Sequence, residues 1–138
     1  MSIEKDRFAE KDLFARHVGI ELLEMSKGRA VGRLKIESRH LNGLGLTQGG
    51  AVFTLADLAF AAASNAEGPP AVAINATISN VKATTEGAVL TAVATELSRN
   101  AKLATYSVHV TDDAGDMVAV FQGMVYIKKD RKKEPAVV

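Results

Sequence analysis

The sequence predicts an α+β fold in which one curved antiparallel sheet wraps around a single central helix. Two observations carry this expectation. From Ala51 to Ala63 every residue is apolar except Thr54 and Asp57, and Ala and Leu dominate, so the segment reads as a helix buried on nearly all sides. Around it the chain offers strand-like runs separated by turn residues, which is the sheet such a helix needs as a wrapping. With 138 residues, 47% of them hydrophobic and 24% charged, the whole chain reads as one globular domain, 1–138, ending in a basic tail from about 128 to 138.

In chain order, Phe8, Leu13 and Phe14 lie among charges and predict a short amphipathic helix over roughly 6–17, ending near Gly19. Residues 18–26 read as a first strand. After the Lys27-Gly28 turn, Arg29 to Glu37 alternates Ala30, Gly32, Leu34 and Ile36 against Val31, Arg33, Lys35 and Glu37, the pattern of a half-buried antiparallel strand. His40 to Gly50 contains Gly43, Gly45, Gly49 and Gly50 and reads as a loop. The buried helix follows and is ended by Gly68, Pro69 and Pro70. Four more strands are expected at about 72–83, 88–98, 102–112 and 117–128, joined by short turns at Glu86-Gly87, at Asn100 and from Asp112 to Gly115.

Composition excludes several classes of function. The chain has no cysteine, so thiol catalysis, cysteine-based zinc sites and disulfides are ruled out. His17, His40 and His109 do not have metal-ligand spacing, and no metal is expected. Of the 17 bases and 16 acids, five bases and two acids fall between Lys128 and Glu134, so the remaining body is slightly acidic. It lacks the basic surface that nucleic acid requires. The N-terminal MSIEKDRFAEKDLF has no apolar core, and no apolar stretch reaches the ~18 residues of a membrane span, so no membrane partner and a cytoplasmic location are expected.

Asp57 is the residue that needs an explanation, because an unpaired carboxylate inside an apolar helix costs several kcal/mol. Thr54 and Ser64 share its face and make a narrow polar stripe. Either the stripe is satisfied by backbone or by a partner chain, or Asp57 is a general base or nucleophile lining a pocket. Gly49 and Gly50 stand at the helix start, where unpaired amides and the positive end of the macrodipole suit an oxyanion or a polarised carbonyl. A plain turn requirement would also call for glycine there. Gly49 and Asp57 are eight residues apart, about 12 Å along a helix at ~1.5 Å per residue. If both act on one carbonyl, the acid belongs to a second subunit whose helix runs antiparallel to the first.

The stretch His40-Leu-Asn-Gly-Leu-Gly-Leu-Thr-Gln48-Gly49-Gly50-Ala-Val-Phe-Thr-Leu-Ala-Asp57-Leu-Ala-Phe-Ala-Ala-Ala-Ser-Asn65 closely resembles the signature of hotdog-fold acyl-CoA thioesterases of the phenylacetate-degradation type. The likeness runs from about residue 17 to 128 and includes Glu96-Leu-Ser-Arg-Asn-Ala-Lys-Leu-Ala-Thr-Tyr-Ser-Val and the final Phe121-Gln-Gly-Met-Val-Tyr. The resemblance implies a hydrolase acting on acyl-CoA, with coenzyme A as part of the substrate and no other cofactor. It also implies a homodimer with helices side by side, associating further into a homotetramer. By that likeness Asn42 orients the carboxylate or a water, the Gly49 amide polarises the thioester carbonyl, and Asp57 of the facing subunit attacks it or activates water. Gln48 stands where the family usually has His, so a positioning role can survive but a proton-transfer role cannot. A non-catalytic hotdog protein that binds acyl-CoA is the competing expectation.

Other residues are weaker candidates for substrate contact. Gly50 and Thr54 adjoin the helix start. Asn75, or its neighbour Ala73, lies on the next strand, where some family members place a Ser or Thr that holds the attacking water, and Ala73 cannot do this. Arg99, Asn100 and Lys102 form a turn that could meet the phosphates of coenzyme A or could simply be solvated. The basic tail could reach the nucleotide. A dehydratase of the same fold would need a His beside the carbonyl, and no histidine is suitably placed. Gly43-Leu-Gly45-Leu-Thr-Gln48 lacks the third glycine of a dinucleotide fingerprint, and Asn75-Ala-Thr77 is an incidental glycosylation sequon.

Overall fold

A computed structural model describes residues 3–129, so all of the tail beyond Lys129 lies outside the described residues. The chain forms α1 (Ile3–Lys11), α2 (Leu13–Val18), β1 (Glu21–Ser26), β2 (Arg29–Lys35), a short 3-10 turn (Ser38–His40), α3 (Gly49–Asn65), β3 (Ala71–Asn80), β4 (Val89–Arg99), β5 (Leu103–Thr111) and β6 (Met117–Ile127). All strand pairs are antiparallel in one six-stranded sheet of order β1-β2-β4-β5-β6-β3. The expected class, a sheet around one long helix, is what forms.

Alternation in β4 and β5 turns Leu90, Ala92, Ala94, Ala104, Tyr106, Val108 and Val110 inward against α3. The helix contributes Val52, Leu55, Ala56, Leu58, Ala59, Phe60, Ala62 and Ala63. Two glycines let it lie close to the sheet. A Cβ on Gly32 would meet Leu55 Cδ1 at 3.3 Å, and one on Gly123 would meet the Phe60 ring at 2.6 Å. Phe60 therefore seats directly on β6, flanked by Tyr106 and Phe121 at ring separations of 5.6 and 5.4 Å. At the far end Asn65 ties α3 to β3: its Nδ2 donates to the carbonyls of Ala61 and Ala71, and its Oδ1 accepts from the Ala71 amide.

Four expectations need correction. The single helix over 6–17 is two helices, because Asp12 leaves helical geometry and caps α2, accepting a hydrogen bond from the Ala15 amide at 3.0 Å. Gly19 ends α2 with φ of 96°, a conformation glycine adopts without strain. The central helix begins at Gly49 and runs to Asn65, so both glycines are helical rather than loop. Strands β3 and β4 are not neighbours across the Glu86-Gly87 turn. β3 crosses to the far edge and pairs with β6, while β4 pairs with β2. Finally, Ser64 is buried and donates to the Ala61 carbonyl, so it leaves the polar stripe, and the open stripe of α3 is Gly50, Thr54, Asp57, Ala61 and Asn65.

Candidate active site

The start of α3 is the first half of the site. Gln48 is the cap residue, with φ −63° and ψ 132°, and its side chain makes no capping bond. Its backbone amide donates to the His40 carbonyl at 2.8 Å, which fixes the approach of the loop to the helix. The amides of Gly49 and Gly50 have no acceptor among the described residues, as expected for the first turn of a helix. Neither glycine has a positive φ. A Cβ on Gly49 would meet only Asn80 Nδ2, at 3.9 Å, and one on Gly50 only Gln48 Cγ, at 3.8 Å, both ordinary contacts. The turn requirement therefore does not explain these glycines. Nothing among the described residues demands them, whereas the close approach of a ligand or a second chain would.

Asp57, two turns along α3, is the second half. Its side chain is half-buried on the open stripe, and none of the described residues donates a hydrogen bond or forms an ion pair with it. Burial raises its pKa above the usual carboxylate value, and the nearby Asp12 carboxylate raises it further. A proton acceptor with raised affinity for protons is the environment of a general base. Thr54, between the two halves, donates to the Gly50 carbonyl at 2.7 Å, so its hydroxyl proton is engaged by the helix.

The remaining candidates are distributed as follows. Asn42 shapes its own loop: Oδ1 accepts from the amides of Leu44 at 2.8 Å and Leu46 at 3.1 Å. Asn75 is exposed on β3, five residues and roughly 17 Å of strand from Asn80, and thus away from the Gly49 end. Asn100 closes the β4–β5 turn by accepting from the amides of Lys102 and Leu103 at 2.9 Å. Arg99 Nη1 lies 3.4 Å from both Glu96 Oε1 and the Tyr106 hydroxyl, and that hydroxyl donates to Glu96 at 2.8 Å. Burial, then the bond to Glu96, pushes the Tyr106 pKa up to about 12, so it stays a neutral donor. Arg99 is also 3.8 Å from the position of a Cβ on Gly68, which puts this turn at the opposite end of α3 from Gly49. His40 is buried and fully engaged: Nδ1 accepts from the Glu37 amide at 2.8 Å, which leaves Nε2–H to donate to the Val18 carbonyl at 2.7 Å. It is a structural clamp.

Two residues near the site were not legible in the sequence. Asn80 reaches Gly49 because β3 returns alongside α3 to its start, and Asp12 influences Asp57 because α2 packs against α3. Among the described residues there is no group of three or more His, Asp or Glu that could hold a metal, and no helix is long and apolar enough to cross a membrane.

A six-stranded antiparallel sheet of this order, packed on one long helix, defines a hotdog protein. Residues 44–119 match the thioesterase superfamily, and the chain belongs to it. It is a thioester hydrolase of the PaaI type. A candidate esterase of Archaeoglobus fulgidus is 38% identical over 88% of this chain and 79% of its own length. The acyl-coenzyme A thioesterase PaaI of Escherichia coli is 34% identical over 83% of this chain and 81% of its own. The structure of that E. coli PaaI protein superposes with a TM-score of 0.87, covering 91% of each chain at 31% identity. The TT0310 protein of Thermus thermophilus superposes with a TM-score of 0.82 at 36% identity, over 86% of this chain and 99% of its own.

Proposed function

We propose that the protein is an acyl-CoA thioesterase whose active sites are shared between two copies of the chain, the Gly49 amide of one and Asp57 of the other acting on one thioester carbonyl. One observation carries the reading: a single helix bears both an unpartnered amide, at a glycine the chain itself does not require, and a half-buried carboxylate that no described residue neutralises. At eight residues' separation, about 12 Å, they cannot meet on one carbonyl within a chain. Side by side and antiparallel, two helices bring each amide to the other's acid.

Two further features favour the pairing. The open stripe Gly50, Thr54, Asp57, Ala61 and Asn65 is made of small side chains, over which a second helix can pass closely. β3 is a ten-residue edge strand, mostly exposed, that bears Val72 and Ile74 at 43% and 55% exposure. A long apolar edge of this kind is a hazard in a monomer and an asset in an assembly. A homotetramer built from two such dimers completes the proposal.

In the reaction, water attacks the carbonyl carbon as Asp57 takes its proton, and the Gly49 N–H stabilises the oxyanion. The C–S bond then breaks, the carboxylic acid leaves, and the proton held by Asp57 passes to the coenzyme A sulfur. Direct attack by the carboxylate, giving an anhydride that water then hydrolyses, uses the same groups. Gln48 cannot titrate, so its part is to position the carbonyl. Asn42 keeps its amide NH2 for the acid or the water, Asn75 is a weaker candidate to hold that water, and Lys102 is the group of its turn most available to a phosphate. Coenzyme A enters as part of the substrate and no other cofactor is required. An intracellular substrate pool suits a cytoplasmic enzyme.

Gln48 favours one alternative, a hotdog protein that binds acyl-CoA without cleaving it. Steady-state hydrolysis of short, medium and aromatic acyl-CoAs separates the two. Turnover is expected; binding without turnover would establish the alternative.

A further inference from the structure

β3 ends at Asn80, on the same face of the strand as Ile78, which packs on the core two residues earlier. That face looks toward the start of α3, and Asn80 Nδ2 stands 3.9 Å from the position of a Cβ on Gly49. The Cα–Cβ direction of a helical residue is tilted toward the helix start, so the carboxamide lies on the side to which the unpartnered Gly49 amide points. Gly49 itself has no Cβ to stand between them. Asn80 is exposed, and its carboxamide bonds none of the described residues. The segment around it is fixed. Asn80 pairs with Ala119 of β6, and the amides of Val81 and Lys82 donate to the Val118 carbonyl at 2.8 and 3.2 Å. Lys82 Nζ is bound by Asp112 and Asp116, the second at 2.7 Å. The Thr84 hydroxyl donates to that of Thr47 at 2.7 Å, and the Thr47 amide donates to the Thr84 carbonyl at 2.9 Å. Thr47 immediately precedes Gln48, so this clasp sets the strand end that carries Asn80 against the helix start.

We propose that the Asn80 side-chain N–H is a second donor to the thioester carbonyl oxygen, acting beside the Gly49 amide, so that the oxyanion is held from two sides. The proposal rests on the reading of the protein as a thioesterase with its carbonyl at Gly49. As water adds to the carbonyl carbon, the C=O electron pair passes to the oxygen, and the charge that develops there meets both donors. When the carbonyl re-forms, the C–S bond breaks and the charge leaves the oxygen; no covalent bond forms or breaks at Asn80. A donor already held in place meets this charge without reorganisation, and it contributes more in the transition state than in the ground state. A carboxamide does not titrate, so this contribution is the same at every pH at which the enzyme works. A bond from Asn80 to the partner's Asp57 would act differently, because a donor to the ionised carboxyl lowers its pKa.

The test compares the full chain with Asn80→Ala and with the nearly isosteric Asn80→Asp. Against an acyl-CoA that the wild type cleaves, each variant should lower kcat about 10²-fold, the low end of what one oxyanion-hole donor supplies, and leave KM within about threefold. The Tm of Asn80→Ala and the acid limb of its kcat/KM profile should stay where they are in the wild type. Binding is read by calorimetry with two compounds that cannot be hydrolysed: the ketone in which CH2 replaces the sulfur of acetyl-CoA, and S-ethyl-CoA, which has no carbonyl. The wild type should bind the ketone at least about threefold more tightly, within what one hydrogen bond contributes, and Asn80→Ala should cut that ratio at least about twofold without changing the affinity for S-ethyl-CoA. Unchanged kcat in both variants would overturn the proposal. So would an acid limb displaced upward in Asn80→Ala, which would make Asn80 a donor to the partner's Asp57, or equal loss of affinity for both compounds, which would make it a contact of the pantetheine arm. If the wild type hydrolyses no acyl-CoA but shows the ketone preference, and Asn80→Ala cuts it, the thioesterase reading falls and the carbonyl contact stands. If the wild type hydrolyses acyl-CoA and Asn80→Ala changes neither kcat nor the ratio, the reverse holds.

Discussion

At the scale of single residues, the proposed chemistry turns on the unequal surroundings of Asp57 and Gly49. Asp57→Asn is nearly isosteric and should lower turnover at least ~10²-fold with folding and assembly intact, checked by kinetics and sedimentation. It should also alter stability with a definite sign. The folded-state pKa of Asp57 is raised above the ordinary 3.8, so the folded protein binds this proton more readily than the unfolded chain does. Stability is therefore lost as pH rises through the raised value, and removing the charge should raise Tm at neutral pH. The gain should vanish below pH 3.8, where the carboxyl is protonated in both states. For the same reason the acid limb of kcat/KM should lie above the ordinary carboxylate range. Asp12→Asn, which keeps a good helix cap, should move it downward but not fully to that range, because burial, the larger cause, remains. Gln48→His should fold with an unchanged Tm, since the Gln48 side chain makes no capping bond, and should preserve or raise kcat/KM. Asp57 and the two glycines were legible in the sequence because each breaks a local pattern. Asp12 and Asn80 were not, because they reach the candidate site only when α2 and β3 fold back along α3.

At the scale of elements, the central helix and the strands were legible because their apolar periodicity is strong and their turns are marked by Gly, Asn or Asp. The order of the strands was not. A short Glu86-Gly87 turn suggested adjacency of β3 and β4, yet β2 and β4 pair in a continuous register from Arg29↔Thr95 to Lys35↔Val89, leaving β3 the free edge beside β6. The break between α1 and α2 was written in the sequence as Asp12 before Leu13-Phe14, a cap that the longer amphipathic pattern obscured. The contact of α3 with β6 gives a direct prediction. Gly123→Ala would place a methyl 2.6 Å from the Phe60 ring, so Phe60 must leave its seat between Tyr106 and Phe121. A loss of about 1–3 kcal/mol is expected in denaturant unfolding, the usual cost of overpacking a core. A neutral outcome would mean that the helix slides freely on the sheet.

At the scale of the whole molecule, Gly49 and Asp57 lie about 12 Å apart on one helix, and the proposed shared site would make assembly a condition of activity. The most direct measurement of that claim mixes two inactive proteins. Gly49 is the first helical residue and Gln48 before it is extended, at ψ 132°, so Gly49→Pro removes the donor amide at a position and after a neighbour that tolerate proline. Gly49→Pro and Asp57→Asn homomers should each be nearly inactive against an acyl-CoA that the wild type cleaves. After subunit exchange, mixed dimers hold one site with an intact Gly49 and an intact Asp57, and equimolar mixing should restore about a quarter of wild-type activity, the statistical share of intact sites under random exchange. Failure of activity to return, once exchange has been verified by labelled subunits, or full activity of a wild-type monomer in sedimentation at the assay concentration, would contradict the shared site.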